Sequence, residues 1–247
     1  MLPILQIGPL AIQTPGLFLL LGIWLGLNLA ERLAPNFKVD ANIIYNLVFF
    51  TLIAGILGAR LGYALQSWEA FKTSPLSLIS LNPGLLDPVS GLASGLVAAI
   101  IYGNRKSLSL WPTLDSLTPL FAVFAIGVAL SNFASGNAFG METKLPWGID
   151  LWSAKRHPTQ IYNALIAILI LWKIYPKGKE GDPDHKLRGT TFLEFLSLSA
   201  GARLFIEAFR GDSTLFLGLR SAQVLAWVIL AISMWKLSSL DSEAANG

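Results

Sequence analysis

Three ionisable residues at helical spacing carry the clearest chemistry in the sequence. Arg203, Glu207 and Arg210 stand at i, i+4 and i+7 in an apolar stretch, a spacing that puts all three on one helix face. Inside lipid an ionisable side chain costs at least about 2.5–3.5 kcal/mol at a helix centre, so such groups are paired or functional. Glu207 can neutralise either arginine and leave a net positive charge on the face. Guanidinium is a planar donor fork, and an arginine pair near a helix end suits a phosphate. An Arg–Glu tie that only fixes helix packing satisfies the same spacing.

Other polar residues join this set. Arg60 lies in Gly58-Ala59-Arg60-Leu61-Gly62-Tyr63, where small neighbours let a second helix approach closely; snorkelling to the interface is its other use. Ser131 to Gly140 reads SNFASGNAFG. Irregular backbone at membrane depth survives only when buried in protein or lining a cavity. Asn132, Ser135 and Asn137 therefore offer hydrogen bonds to a polar head there, or the segment is an interfacial loop. His157 precedes Pro158 at a helix entry, with Gln160 one turn on. An imidazole can take or give a proton near neutral pH; it can equally be an interfacial entry residue. With two histidines and no cysteine, no metal cluster is expected.

The elements that must position these residues are membrane helices. The chain has 247 residues, 53% hydrophobic and 13% charged, with mean hydropathy +0.58. A soluble domain carries about 25% charged residues, so a soluble enzyme is disfavoured, and disorder is excluded by the same composition. Seven apolar stretches run from about Gly16 to Leu33, Asn42 to Gln66, Val89 to Tyr102, Leu114 to Leu130, His157 to Tyr175, Thr190 to Phe209 and Ala222 to Leu237. Their length without strict alternation predicts helices. The expected fold is all-α, with seven transmembrane helices in one integral-membrane domain over residues 1–240 and a polar tail at 241–247. No internal repeat is present, which disfavours an inverted-repeat transporter.

Orientation follows from the loops. With the N-terminus outside, the inner segments hold Arg32, Lys38, Arg105, Lys106, Lys173, Lys177, Lys179, Lys186, Arg188 and Lys236; the outer ones hold Lys72, Lys144, Lys155, Arg156, Arg210 and Arg220. This asymmetry predicts an outside N-terminus and a cytoplasmic C-terminus. A net charge of +3 is too small to imply a nucleic-acid partner.

The order of these pieces resembles the bacterial prolipoprotein diacylglyceryl transferases. The resemblance begins at Ile4 to Leu10 and Gly16-Leu17. It passes through Tyr45 to Phe49, Gly58 to Tyr63 and Asn132-Phe133. It is strongest at Leu145-Pro146-Trp147-Gly148 and Arg156-His157-Pro158-Thr159-Gln160-Ile161-Tyr162, and ends with Arg203 to Arg210 and Gln223. It covers nearly the whole chain in order. It implies seven spans in the bacterial plasma (inner) membrane, no cofactor, and transfer of the diacylglyceryl group of phosphatidylglycerol to the lipobox cysteine thiol in the signal peptide of a preprolipoprotein, with glycerol phosphate leaving. Under that resemblance His157, Arg203 and Arg210 are the catalytic candidates. Arg60, Asn132, Gly140, Gln160 and Glu207 are the substrate-binding ones.

Four positions depart from the family pattern. Where the signature reads Gly-Arg-Leu-Gly-Asn-Phe, this chain has Val128-Ala129-Leu130-Ser131-Asn132-Phe133, so Ala129 replaces the phosphate-facing arginine. Ser90 replaces a histidine, Pro15 a tyrosine and Asn137 a glutamate. Two readings result: an active transferase relying on Arg203, Arg210 and His157, and a degenerate paralogue that binds phospholipid or lipoprotein precursor without transfer.

Overall fold

A computed structural model of the chain describes residues 4–7, 10–73, 85–175 and 189–245. All seven expected helices are present. They are α1 (Thr14–Leu33), α2 (Ala41–Gln66), α4 (Pro88–Arg105), α5 (Leu110–Ser135), α6 (Thr159–Ile174), α7 (Thr190–Glu207) and α8 (Ser221–Ala245), with a short α3 (Trp68–Thr73) after α2. The segments Thr14–Phe37, Ala41–Gln66, Leu110–Ser135 and Ser221–Leu240 are long and apolar enough to cross a membrane; Thr159–Ile174 is a shorter apolar helix. Large apolar side chains such as Trp24, Trp172, Trp227 and Trp235 stand exposed on these helices, as suits a surface that meets lipid rather than water. The protein is an all-α membrane protein.

The chain forms two compact units, Asp40–Leu110 and the remainder, Met1–Val39 with Trp111–Gly247. In the first, α2 and α4 run antiparallel with small residues facing each other. Side chains added at Gly55 and Gly95 would meet the Gly91 and Thr51 carbonyls, each at 3.3 Å, and one at Gly58 or Gly62 would overlap Ser94 or Ser90. Backbones approach this closely only where side chains are absent or short. Asp40 caps α2, accepting from the Asn42 amide at 2.7 Å, and Asp87 caps α4, accepting from the Ser90 amide at 2.7 Å. The hydrogen bonds from Ser90 hold the Asp87 carboxyl below its ordinary range.

In the second unit α1 packs antiparallel on α5 through Gly22, Gly26 and Gly127; a Cβ at Gly26 would stand 3.0 Å from the Leu120 Cα. Ala122 of α5, Ile170 and Ile174 of α6 and Phe195 and Leu198 of α7 form an apolar cluster. α7 and α8 run antiparallel, joined by Ser197 Oγ donating to Ser233 Oγ (2.8 Å) and Gln223 Nε2 donating to the Leu204 carbonyl (3.1 Å). Asp115, fully buried in the first turns of α5, accepts from the backbone amides of Gly189 (3.0 Å) and Phe192 (2.8 Å) and so caps α7.

Among the described residues, three two-stranded antiparallel ribbons accompany the helices where the sequence predicts none: β1 (Ile4–Ile7) with β2 (Leu10–Gln13) ahead of α1, β3 (Ile149–Leu151) with β4 (Ala154–Arg156) between α5 and α6, and β5 (Leu215–Phe216) with β6 (Leu219–Arg220) between α7 and α8. Strands of two to four residues are too short to show alternation. The polar run from Ser131 also differs from expectation. Its first half is helical, because α5 continues to Ser135 and ends at Gly136, whose φ of 78° is the left-handed conformation of a helix stop. Residues 176–188, which hold most of the basic Lys173 to Arg188 cluster, lie outside the described residues, as do Gly8 and Pro9 of the first family stretch.

Candidate functional site

The site is assembled at the C-terminal end of α7. That helix ends at Glu207, so Arg210 lies beyond it. The chain stays tight through the next turn, with the Arg210 amide donating to the Glu207 carbonyl at 3.2 Å, and the contact expected from spacing survives. Glu207 Oε2 lies 3.0 Å from Arg203 Nη2 and 3.7 Å from Arg210 Nη1. The Glu207 side chain is 2% exposed, that of Arg210 14% and that of Arg203 36%. A carboxylate this deep is tolerable only because both guanidiniums and the Ser213 hydroxyl, which donates to Oε1 at 2.6 Å, compensate its lost hydration.

The two arginines then diverge. Arg210 donates through Nε (2.9 Å) and Nη2 (2.7 Å) to one oxygen of Asp212. Arg203 instead lines a cavity of about 110 Å³ between α5, α6 and α7, together with Ala125, Asn163, Phe195 and Ser199. Of the two arginines paired with Glu207, Arg203 is thus the one that lines a cavity between these helices.

A short piece of chain links this charged face to His157. Gly140 bridges Arg210 in antiparallel fashion, the Met141 amide donates to the Phe209 carbonyl at 2.8 Å, and the His157 amide donates to the Met141 carbonyl at 3.0 Å. Gly140 has to be glycine here, since a Cβ would run into the His157 carbonyl. The His157 ring packs on Phe209 (5.2 Å between centroids) and edge-on to Tyr162 (6.3 Å). Its Nδ1 lies 3.5 Å from the Tyr162 hydroxyl, which accepts from Trp147 Nε1 at 2.9 Å. For Nε2 to take a proton, Nδ1 must carry the other hydrogen and point it at the Tyr162 oxygen.

The first turn of α6 secures the end of the polar run. Gln160, 1% exposed, donates to the Asn137 carbonyl at 2.8 Å, and Thr159 Oγ1 donates to the Ala138 carbonyl at 2.6 Å. Asn132 sits in the last turn of α5, its carbonyl accepting from Ser135 Oγ at 3.2 Å. Gly140, His157, Gln160, Arg203, Glu207 and Arg210 are therefore drawn into one linked set, with Asn132 in the same unit. Arg60 belongs to the α2–α4 unit.

Sequence reasoning passes over Asp212, Ser213, Arg220 and Asp115. Asp212 and Ser213 come after the end of α7, where helical spacing no longer reveals them. Asp115, an acid inside the apolar stretch from Leu114 to Leu130, carries a visible signal, the cost of burying an acid. The departures from the family pattern fall in both units. Ala129 is buried on α5, one turn beyond the cavity-lining Ala125; Ser90 lies in the close α2–α4 contact.

Comparison with known proteins covers the same length of chain. The profile of the prolipoprotein diacylglyceryl transferase family matches residues 3–238. The phosphatidylglycerol–prolipoprotein diacylglyceryl transferase of Synechococcus elongatus is 28% identical over 94% of this chain and 84% of its own length. That of a Nostoc species is 29% identical over 96% and 88%, and that of Acaryochloris marina 30% identical over 96% and 89%. With its helices and its Arg–Glu–Arg face in place, the chain belongs to the prolipoprotein diacylglyceryl transferase family.

Proposed function

We propose that residues 1–240 act as one integral-membrane domain of seven spans in the bacterial inner membrane, N-terminus outside, that transfers diacylglyceryl from phosphatidylglycerol to the lipobox cysteine of a preprolipoprotein. The observation that carries this reading is Arg203, held by the buried Glu207 and facing a cavity between three helices. A phosphate diester there meets a guanidinium in surroundings that screen it weakly. Arg210 and Glu207 hold the cradle. Asn132, Gly140 and Gln160 complete the substrate site, and Arg60 of the α2–α4 unit is a further binding candidate. The cysteine sulfur attacks the glycerol carbon that bears the phosphate, the C–O bond breaks as the C–S bond forms, and glycerol phosphate leaves with the electron pair. His157 Nε2 accepts the thiol proton.

A second reading has its own support. Ala129 and Ser90 place no charge and no effective base where the family carries an arginine and a histidine. A degenerate paralogue that holds lipid or precursor without transfer is consistent with that. Complementation of a strain depleted of its own transferase, with mass spectrometry of a lipobox peptide, separates the two. Growth with a modified peptide is expected for the transferase; no modification despite retained phosphatidylglycerol would establish the second reading.

A further inference from the structure

Arg220 has no role in the reading above, yet its guanidinium is heavily engaged. The tight turn at Leu217 (φ 51°) and Gly218 (φ 79°) folds β6 back on β5, with Arg220 opposite Leu215 in register. The side chain returns to the end of α7. Nη1 donates to the Glu207 carbonyl, to the Arg210 carbonyl (2.9 Å) and to Ser213 Oγ (2.9 Å). The Glu207 carbonyl stands at the negative end of α7, where a cation belongs, and the Arg210 carbonyl lies in the chain just past it.

The third contact reaches the site. Guanidinium cannot accept and carboxylate cannot donate, so the single Ser213 proton has one direction available. Arg220 donates to Ser213, and Ser213 donates to Glu207 Oε1 at 2.6 Å. Glu207 Oε2 in turn faces Arg203 and Arg210. The charges follow the same path. Arg203 and Arg210 are offset by Glu207 and Asp212, so that group of four is neutral, and Arg220 adds one positive charge beside it.

We infer that Arg220 is a positioning residue: acting through Ser213, it fixes the Glu207 carboxylate and with it the orientation of Arg203 toward an anionic lipid headgroup. This rests on the reading of Arg203 as the lipid-holding arginine. The test is a double-mutant cycle on the full-length protein in detergent, with phosphatidylglycerol affinity as the readout, so that it needs no turnover. Arg220→Leu is expected to weaken binding about tenfold and Ser213→Ala several-fold, as befits lost bonds to charged groups. The double variant should bind no more weakly than Arg220→Leu alone, and Ser213→Thr, which keeps the hydroxyl, should bind like wild type. Additive effects, or an Arg220→Leu protein with wild-type affinity, would overturn the inference and leave Arg220 a simple helix cap. If Arg220→Leu does not fold, the contrast between Ser213→Ala and Ser213→Thr decides. Arg203→Leu is measured alongside; unchanged affinity there sinks the underlying reading, whatever Arg220 does.

Discussion

Glu207 is the residue on which the charged face depends, and its two arginines answer differently to its loss. Arg203 is over a third exposed and faces the cavity, so Arg203→Leu should abolish phosphatidylglycerol retention in native mass spectrometry while the fold persists. Equal retention by wild type and variant would reduce Arg203 to a packing tie. Glu207→Leu removes a buried counter-charge and leaves both guanidiniums without it, a loss of about 3–5 kcal/mol. A sharply lower unfolding temperature is the expected result; an unchanged one would mean that Asp212 alone compensates. The arginines and the glutamate are legible from i, i+4 spacing because Arg203 and Glu207 share a helix. Asp212 and Ser213 are not, because α7 stops at Glu207 and the path of the chain beyond it is set by the Gly140 bridge, a contact between residues distant in sequence. His157 is legible as a candidate and Tyr162 is its neighbour in sequence, but Phe209 lies just past the end of α7, and only the fold brings it to the ring.

Helices are the most legible elements, because lipid requires backbone self-satisfaction and long apolar runs leave few other solutions. Their faces can be read in part: Gly58, Ala59 and Gly62 mark a close approach, and Ser90, Gly91, Ser94 and Gly95 of α4 fill it. The ribbons β1 to β6 cannot be read, since a four-residue strand has no period to detect. The extended chain at Gly140 matters most among the non-helical pieces, as it carries the chain from α5 past Arg210 to His157. The cap of α7 is equally hidden, because Asp115 is distant in sequence from Gly189 and Phe192, the amides it accepts from. Asp115→Ala strands buried donors at the start of the helix that carries Arg203. It should cost about 2–4 kcal/mol, read as a lower unfolding midpoint in detergent. Asp115→Asn, which keeps one acceptor oxygen, should cost less. An Ala variant as stable as wild type would show that water caps α7 equally well.

The basic asymmetry of the loops predicts an outside N-terminus. The chain has no cysteine of its own, so a single cysteine at Lys179, which lies outside the described residues, is a clean reporter. It should resist an impermeant thiol reagent added from outside, and labelling there would reverse the topology. Ala129 and Ser90, which lie in different units of the chain, stand where the resemblance expects an arginine and a histidine. A leaving phosphate gathers negative charge in the transition state, and one lost preorganised donor typically costs about 10²–10³ in rate. Losing a general base costs about 10²–10⁴ more. If a transferase cavity persists, the Ala129→Arg, Ser90→His double variant should transfer diacylglyceryl to a lipobox peptide measurably faster than wild type. Ala129 is buried one turn beyond the cavity-lining Ala125, so the new guanidinium must find a partner, and Ala129→Leu controls for bulk alone. Wild-type transfer at the rate of an intact family member would mean that Arg203, Arg210 and His157 suffice, and would end the degenerate reading. Lipid binding by both forms with transfer by neither would mean that this fold has kept the phosphate cradle and given up the reaction.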